Sequence, residues 1–165
     1  MGKEQDFLRL IENYKRLILK VCRFYSSVES IMSAEDLFQE IVYNLWKSYP
    51  KYEKRPTCKV STWIYRIALN VAISCNRKSQ ATFVPIDICD ESMFFDLGMP
   101  TSTVGNAELY TLIEQLKNDE QAIMFLYIDD CTYQEIAEIM GITPSNVGTK
   151  IQRIKNKLKK LYHGQ

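Results

Sequence analysis

Histidine is almost missing from this chain: among 165 residues only His163 is one. The five cysteines (Cys22, Cys58, Cys75, Cys89, Cys131) stand 36, 17, 14 and 42 residues apart, so none forms a CxxC pair. Neither a zinc site nor a disulfide framework is suggested by that spacing. Glycine is also scarce, at six residues, and none is arranged as a phosphate-binding loop. Without these elements, no nucleophile–base pair, metal-ligand cluster or nucleotide cradle is available, and an enzyme is disfavoured. No uncharged apolar run approaches the roughly 18 residues of a membrane span. The opening MGKEQDF lacks the apolar core of a signal peptide. The expectation is a cytosolic protein without membrane insertion, metal or cofactor.

What is present is 46% apolar residues, enough for packed cores in one domain or two small ones. The net charge of +1 conceals strong segregation. Residues 1–78 hold 14 bases and 8 acids, and residues 79–106 hold 4 acids and no base. Residues 107–146 hold 1 base and 8 acids, and residues 147–165 hold 6 bases and no acid. Two basic regions separated by acidic ones suggest two contacts with polyanions, set against the plainer reading of solvated helix faces.

Periodicity predicts an all-α chain. Phe7, Ile11, Tyr14, Ile18, Val21 and Tyr25 share one face of a helix over about 4–25. Ser33, with Asp36 three residues on, resembles a capping box opening a second helix with the stripe Leu37, Ile41, Leu45. The stretch SYPKYEKRPTCK (48–59), with two prolines and several bases, reads as a loop. A third helix, capped by Ser61 or Thr62, follows to Lys78. From 79 to 105 periodicity disappears and acids accumulate, which reads as a linker. Asn106 caps the next helix (Leu109, Leu112, Ile113, Leu116), and another follows Asp119.

The last segment, TYQEIAEIMGITPSNVGTKIQRIKNKLKK, is the most informative. Thr132 and Glu135 form a capping box, Gly141 supplies a positive φ at a helix end, and Thr143-Pro144 is an N-cap with proline at the first helical position. Val147, Ile151, Ile154, Leu158 and Leu161 fall within about 40° of one line, with Ser145, Thr149, Gln152 and Asn156 opposite. This is the pattern of a helix-turn-helix, with hydrogen-bonding side chains for base edges and cations for phosphates. An antiparallel helix pair with a basic end shares part of it. Gly148, in the first turns, has no assigned role beyond the absence of a side chain near the DNA side.

AEDLFQEIVYNLWKSYPKY followed by VSTWIYRIALNVAISCNRK resembles the core of the extracytoplasmic-function (ECF) RNA polymerase sigma factors. LIEQLKNDEQAIMFLYIDDCTYQEIAEIMGITPSNVGTKIQRIKNKL resembles their C-terminal domain. The resemblance implies a region 2-like domain over 1–78, an acidic linker over 79–105 and a region 4-like domain over 106–165. It implies that Asp36, Gln39 and Glu40 meet the clamp helices of the polymerase β′ subunit, and that the β flap is a further contact. It implies a −10 strand path along Tyr52, Trp63, Arg66, Ile67 and Asn70, with Arg77 and Lys78 on phosphates. The −35 duplex would be read by Ser145, Asn146, Thr149, Lys150, Gln152 and Arg153. An anti-sigma factor is an implied partner. A stand-alone helix-turn-helix regulator would leave Tyr52 and the Asp36–Glu40 face unexplained. The chain departs from the family pattern at Lys117-Asn118, where proline is frequent, at Asp130 or Cys131, where glycine is common, and at Gly148, where a base is usual.

Overall fold

The computed structural model describes residues 2–26, 32–56, 58–81 and 107–164, with side chains omitted at 76–81 and 107–110. All regular structure among them is helical: α1 (Lys3–Tyr25), α2 (Ala34–Lys54), α3 (Val60–Ala81), α4 (Ala107–Glu114), α5 (Asn118–Ile128), α6 (Tyr133–Met140) and α7 (Pro144–His163). The chain divides into two compact units at residues 91/92. The expected linker falls largely outside the described residues, as does the expected cap Asn106.

In the N-terminal unit, α1, α2 and α3 each pack on the other two. Ile18, Leu19, Val21, Ile41, Leu45 and Ile64 are fully buried between them. Tyr14, expected on the buried face of α1, is only half-buried. Ser33 caps α2 by accepting the Asp36 amide at 3.1 Å.

The expected loop over 48–59 is largely absent: α2 runs on through Pro50 to Lys54. An internal proline removes one helical hydrogen bond and costs about 3 kcal/mol. The aromatic packing on either side of it offsets that cost. Tyr49 is buried, with its ring 5.3 Å from Phe7 of α1 and 6.4 Å from Trp63 of α3. Tyr52, one turn later, stacks on Trp63 at 4.4 Å and 9°. Pro50 itself faces solvent. Neither Ser61 nor Thr62 caps α3, which starts earlier, at Val60. The Trp63 amide donates to the Lys59 carbonyl at 3.0 Å, and Thr62 is buried in the first turn.

In the C-terminal unit, α4, α5 and α6 each contact α7. Ile113, Ile123, Leu126, Ile136, Ile151 and Ile154 form its core. Helix α5 begins at Asn118, with Lys117 as its cap residue, two residues ahead of the expected start after Asp119. The turn after it passes through Asp130 at φ 61°, left-handed geometry that a short acidic side chain tolerates. The capping box of α6 is complete: Glu135 N–H donates to Thr132 Oγ1 at 3.1 Å, and Thr132 N–H donates to Glu135 Oε2 at 3.3 Å. Gly141 ends α6 at φ 72°, and Thr143 caps α7 with Pro144 in its first turn. Gly141→Ala is expected to cost about 1–2 kcal/mol, because an L side chain is strained at that φ. Urea unfolding followed by circular dichroism measures it.

Candidate nucleic-acid and polymerase surfaces

The outward side of α2 carries Asp36, Gln39 and Glu40, all exposed. Their spacing continues to Tyr43, 58% exposed, with the Lys47 ammonium 5.3 Å from its ring centroid. Tyr43 was not singled out from the sequence. The available signal was its position three residues beyond Glu40, on a face with no packing reason to hold an aromatic ring.

At the other end of α2, Tyr52 is half-exposed. One face of its ring is covered by Trp63, and its hydroxyl donates to the Cys58 carbonyl at 2.8 Å. Burial, and after it the Cys58 thiol, raises the Tyr52 pKa, so the phenol keeps its proton at neutral pH. Trp63 is only 8% exposed and belongs to the core, so it backs Tyr52 and does not line an open path. Arg66 and Ile67 are half-buried and Asn70 is exposed; together they mark one stripe of α3. The Arg66 guanidinium lies 3.9 Å from the Cys58 sulfur. Arg77 and Lys78 lie on the α3 backbone, and their side chains are outside the described set. Cys22 is fully buried, and desolvation pushes its thiol up to about 12, so it stays protonated and unreactive.

On α7, Ser145, Asn146, Thr149, Gln152 and Arg153 are exposed. The Thr149 hydroxyl donates to the Ser145 carbonyl at 3.1 Å, leaving its oxygen as an acceptor. Lys150 was expected to face DNA with them, but its Nζ lies 3.4 Å from Asp119 Oδ2 on α5. Lys157 reaches Glu120 Oε1 at 3.3 Å, and Lys155 donates to the Tyr127 hydroxyl at 2.9 Å. Arg153, Lys159 and Lys160 are exposed and form no ion pair among the described residues. The α7 cations therefore divide into three engaged within the unit and three directed to solvent.

Gly148 lies on the helix flank beside Tyr133, where an added Cβ would meet the ring at 3.5 Å, an ordinary contact. Gly148→Ala is therefore expected to stabilise the C-terminal unit by up to about 1 kcal/mol through helix propensity. Thermal unfolding of the two proteins side by side measures it.

Sigma-70 region 2 matches residues 10–82, and Sigma-70 region 4 matches residues 106–158. The ECF RNA polymerase sigma factor SigW of Bacillus subtilis (strain 168) is 28% identical over 172 aligned positions, covering 96% of this chain and 90% of SigW. This chain belongs to the ECF sigma factors. SigM of the same organism is also 28% identical, over 92% of this chain and 94% of its own length. The fold matches that of the sigma factor RpoE from Bartonella quintana, solved with the anti-sigma factor NepR. There the TM-score is 0.68 at 17% identity, covering 96% of this chain and 98% of that one. CnrH, solved with the cytosolic domain of CnrY, gives a TM-score of 0.65 at 17% identity, over 99% of this chain and 92% of that one. As an ECF sigma factor, the protein directs RNA polymerase to promoters. No helix among the described residues is long and apolar enough to cross a membrane. Sigma factors are generally non-enzymatic initiation factors.

Proposed function

We propose that this ECF sigma factor acts as a dissociable, non-catalytic polymerase subunit of the cytoplasm, with its two units placed on two promoter elements. Residues 1–78 grip the β′ clamp helices through Asp36, Gln39 and Glu40, and open the −10 element. Residues 106–165 read the −35 duplex and meet the β flap, and residues 79–105 connect the two. The observation that supports this reading is the order of the two region matches, each falling on its own compact helical unit.

In the −10 region, an unstacked base stacks on the outer face of Tyr52 while Trp63 holds the inner face. Base–aromatic stacking contributes about 1–3 kcal/mol per base, which favours the opened strand. Asn70 hydrogen-bonds along the strand, Ile67 contributes apolar contact, and Arg66, Arg77 and Lys78 neutralise phosphates. In the −35 region, Ser145, Asn146, Thr149 and Gln152 face base edges, and Arg153 meets the backbone. Lys150 contributes there only by leaving Asp119. Binding energy is the sole source of opening, so affinity falls as salt rises.

An anti-sigma factor that occludes these surfaces is the further partner proposed. The sigma factor RpoE, solved with the anti-sigma factor NepR, and CnrH, solved with the cytosolic domain of CnrY, share this fold and support it. Run-off transcription with purified core polymerase tests the central reading: added protein is expected to start transcripts at a defined set of promoters. No added initiation at any promoter of its own genome would overturn it.

A further inference from the structure

The outward face of α7 has two flanks. On one, Lys150 and Lys157 are tied to Asp119 and Glu120 of α5. On the other stand Gly148 and, two turns on, Lys155, whose ammonium also lies 4.6 Å from the Tyr127 ring centroid. Gly148 has no side chain, and the adjoining space belongs to α6. A Cβ there would touch Tyr133 Cε2 at 3.5 Å and Cδ2 at 3.8 Å. Tyr133 is 44% exposed although its ring lies against α7. The ring thus occupies the direction that a side chain at 148 would take, and still reaches solvent.

We propose that Tyr133 stands in for the missing side chain at 148, donating its phenolic hydrogen bond to a DNA backbone phosphate beside the −35 duplex. This inference rests on the reading that α7 faces duplex DNA. In a helix-turn-helix the first helix crosses the backbone while the second enters the major groove. Tyr133 is the first residue of that first helix and lies against the second, so it sits where the two contacts meet. Tyrosine hydroxyls are among the ordinary donors to phosphate oxygens. A neutral donor releases no counterion, so this flank adds affinity without adding salt dependence, unlike a base at 148.

The test uses the full chain and a fluorescein-labelled random-sequence duplex of about 30 bp, titrated by anisotropy between about 50 and 200 mM salt. Tyr133→Phe keeps the ring on Gly148 and removes only the hydroxyl. It is expected to bind about tenfold more weakly, the scale of a hydrogen bond to a charged group, with an unchanged salt slope. Gly148→Arg is expected to steepen the slope of log K against log salt by about 0.9. In the double variant the arginine is expected to recover the lost affinity. Wild-type affinity in Tyr133→Phe would reduce the ring to a packing element and overturn the proposal. An unchanged slope in Gly148→Arg would do the same, because that flank would then not face phosphate. If the wild-type chain binds no duplex even at the lowest salt, the duplex reading itself fails and takes this proposal with it.

Discussion

Trp63→Ala is expected to lower the stability of the N-terminal unit by about 3–5 kcal/mol, a large share of what a small domain has. The side chain is 8% exposed and joins two helices through the Tyr52 stack at 4.4 Å and the Tyr49 contact at 6.4 Å. Removing it leaves a cavity beneath Tyr52 and takes away the packing that holds α2 helical beyond Pro50. Unfolding is conveniently followed, because the chain has two tryptophans, Trp46 and Trp63, both in this unit. Trp46 remains as the reporter in the variant. Its emission during a urea titration should show an earlier midpoint than in the wild-type chain. Tyr52→Phe is the control. It retains the stack and loses only the bond to the Cys58 carbonyl, a change of about 1 kcal/mol. If Trp63→Ala unfolded with the wild-type midpoint, the residue would not be part of the core. Any loss of promoter opening would then have to come from lost contact with the strand.

The contrast between Trp63 and the C-terminal hairpin shows what was legible in the sequence. The hairpin is specified within a few residues of itself. Thr132 and Glu135 satisfy each other's amides, Gly141 takes its positive φ, and Thr143-Pro144 starts α7. Such devices are local and can be read in order along the chain. The stretch around Pro50 cannot be read that way, because what keeps it helical lies elsewhere: Phe7 on α1 and Trp63 on α3. Local propensity was overridden by tertiary packing, and a loop became the last turns of a helix. The candidate site divides along the same line. The exposed positions of Asp36, Gln39, Glu40, Asn70 and the polar side of α7 follow from helical periodicity. The engagement of Lys150 with Asp119 and the placement of Tyr133 beside Gly148 depend on how α5 and α6 pack against α7. Spacing along α7 alone carries no trace of either.

The paired substitution Gln39→Lys and Glu40→Lys is expected to weaken binding to core polymerase by at least about a hundredfold. It inverts an acidic face that the proposed partner must complement, and the resulting charge mismatch costs several kcal/mol in an interface. These two positions separate binding from folding better than Asp36 does. Asp36 lies in the first turn of α2, where its carboxylate favours the helix dipole by about 0.3–1 kcal/mol, and its amide donates to the Ser33 cap. Gln39 and Glu40 are exposed and lie beyond that turn. The Glu40 group held by Asn44 Nδ2 at 2.8 Å is its backbone carbonyl, which a lysine also provides. Exposed substitutions of this kind usually change stability by within about 0.5 kcal/mol. The thermal transition should therefore stay in place while the affinity, measured by competition with the wild-type chain for purified core polymerase, collapses. Duplex binding by the C-terminal unit should be unaffected. Tyr43, the exposed ring on the same face, should be the next most sensitive position, since aromatic side chains dominate the binding energy of interfaces. Wild-type competition by the lysine pair, with the fold intact, would remove this face of α2 from the polymerase contact. The grip of the N-terminal unit would then have to be sought on α1 or α3.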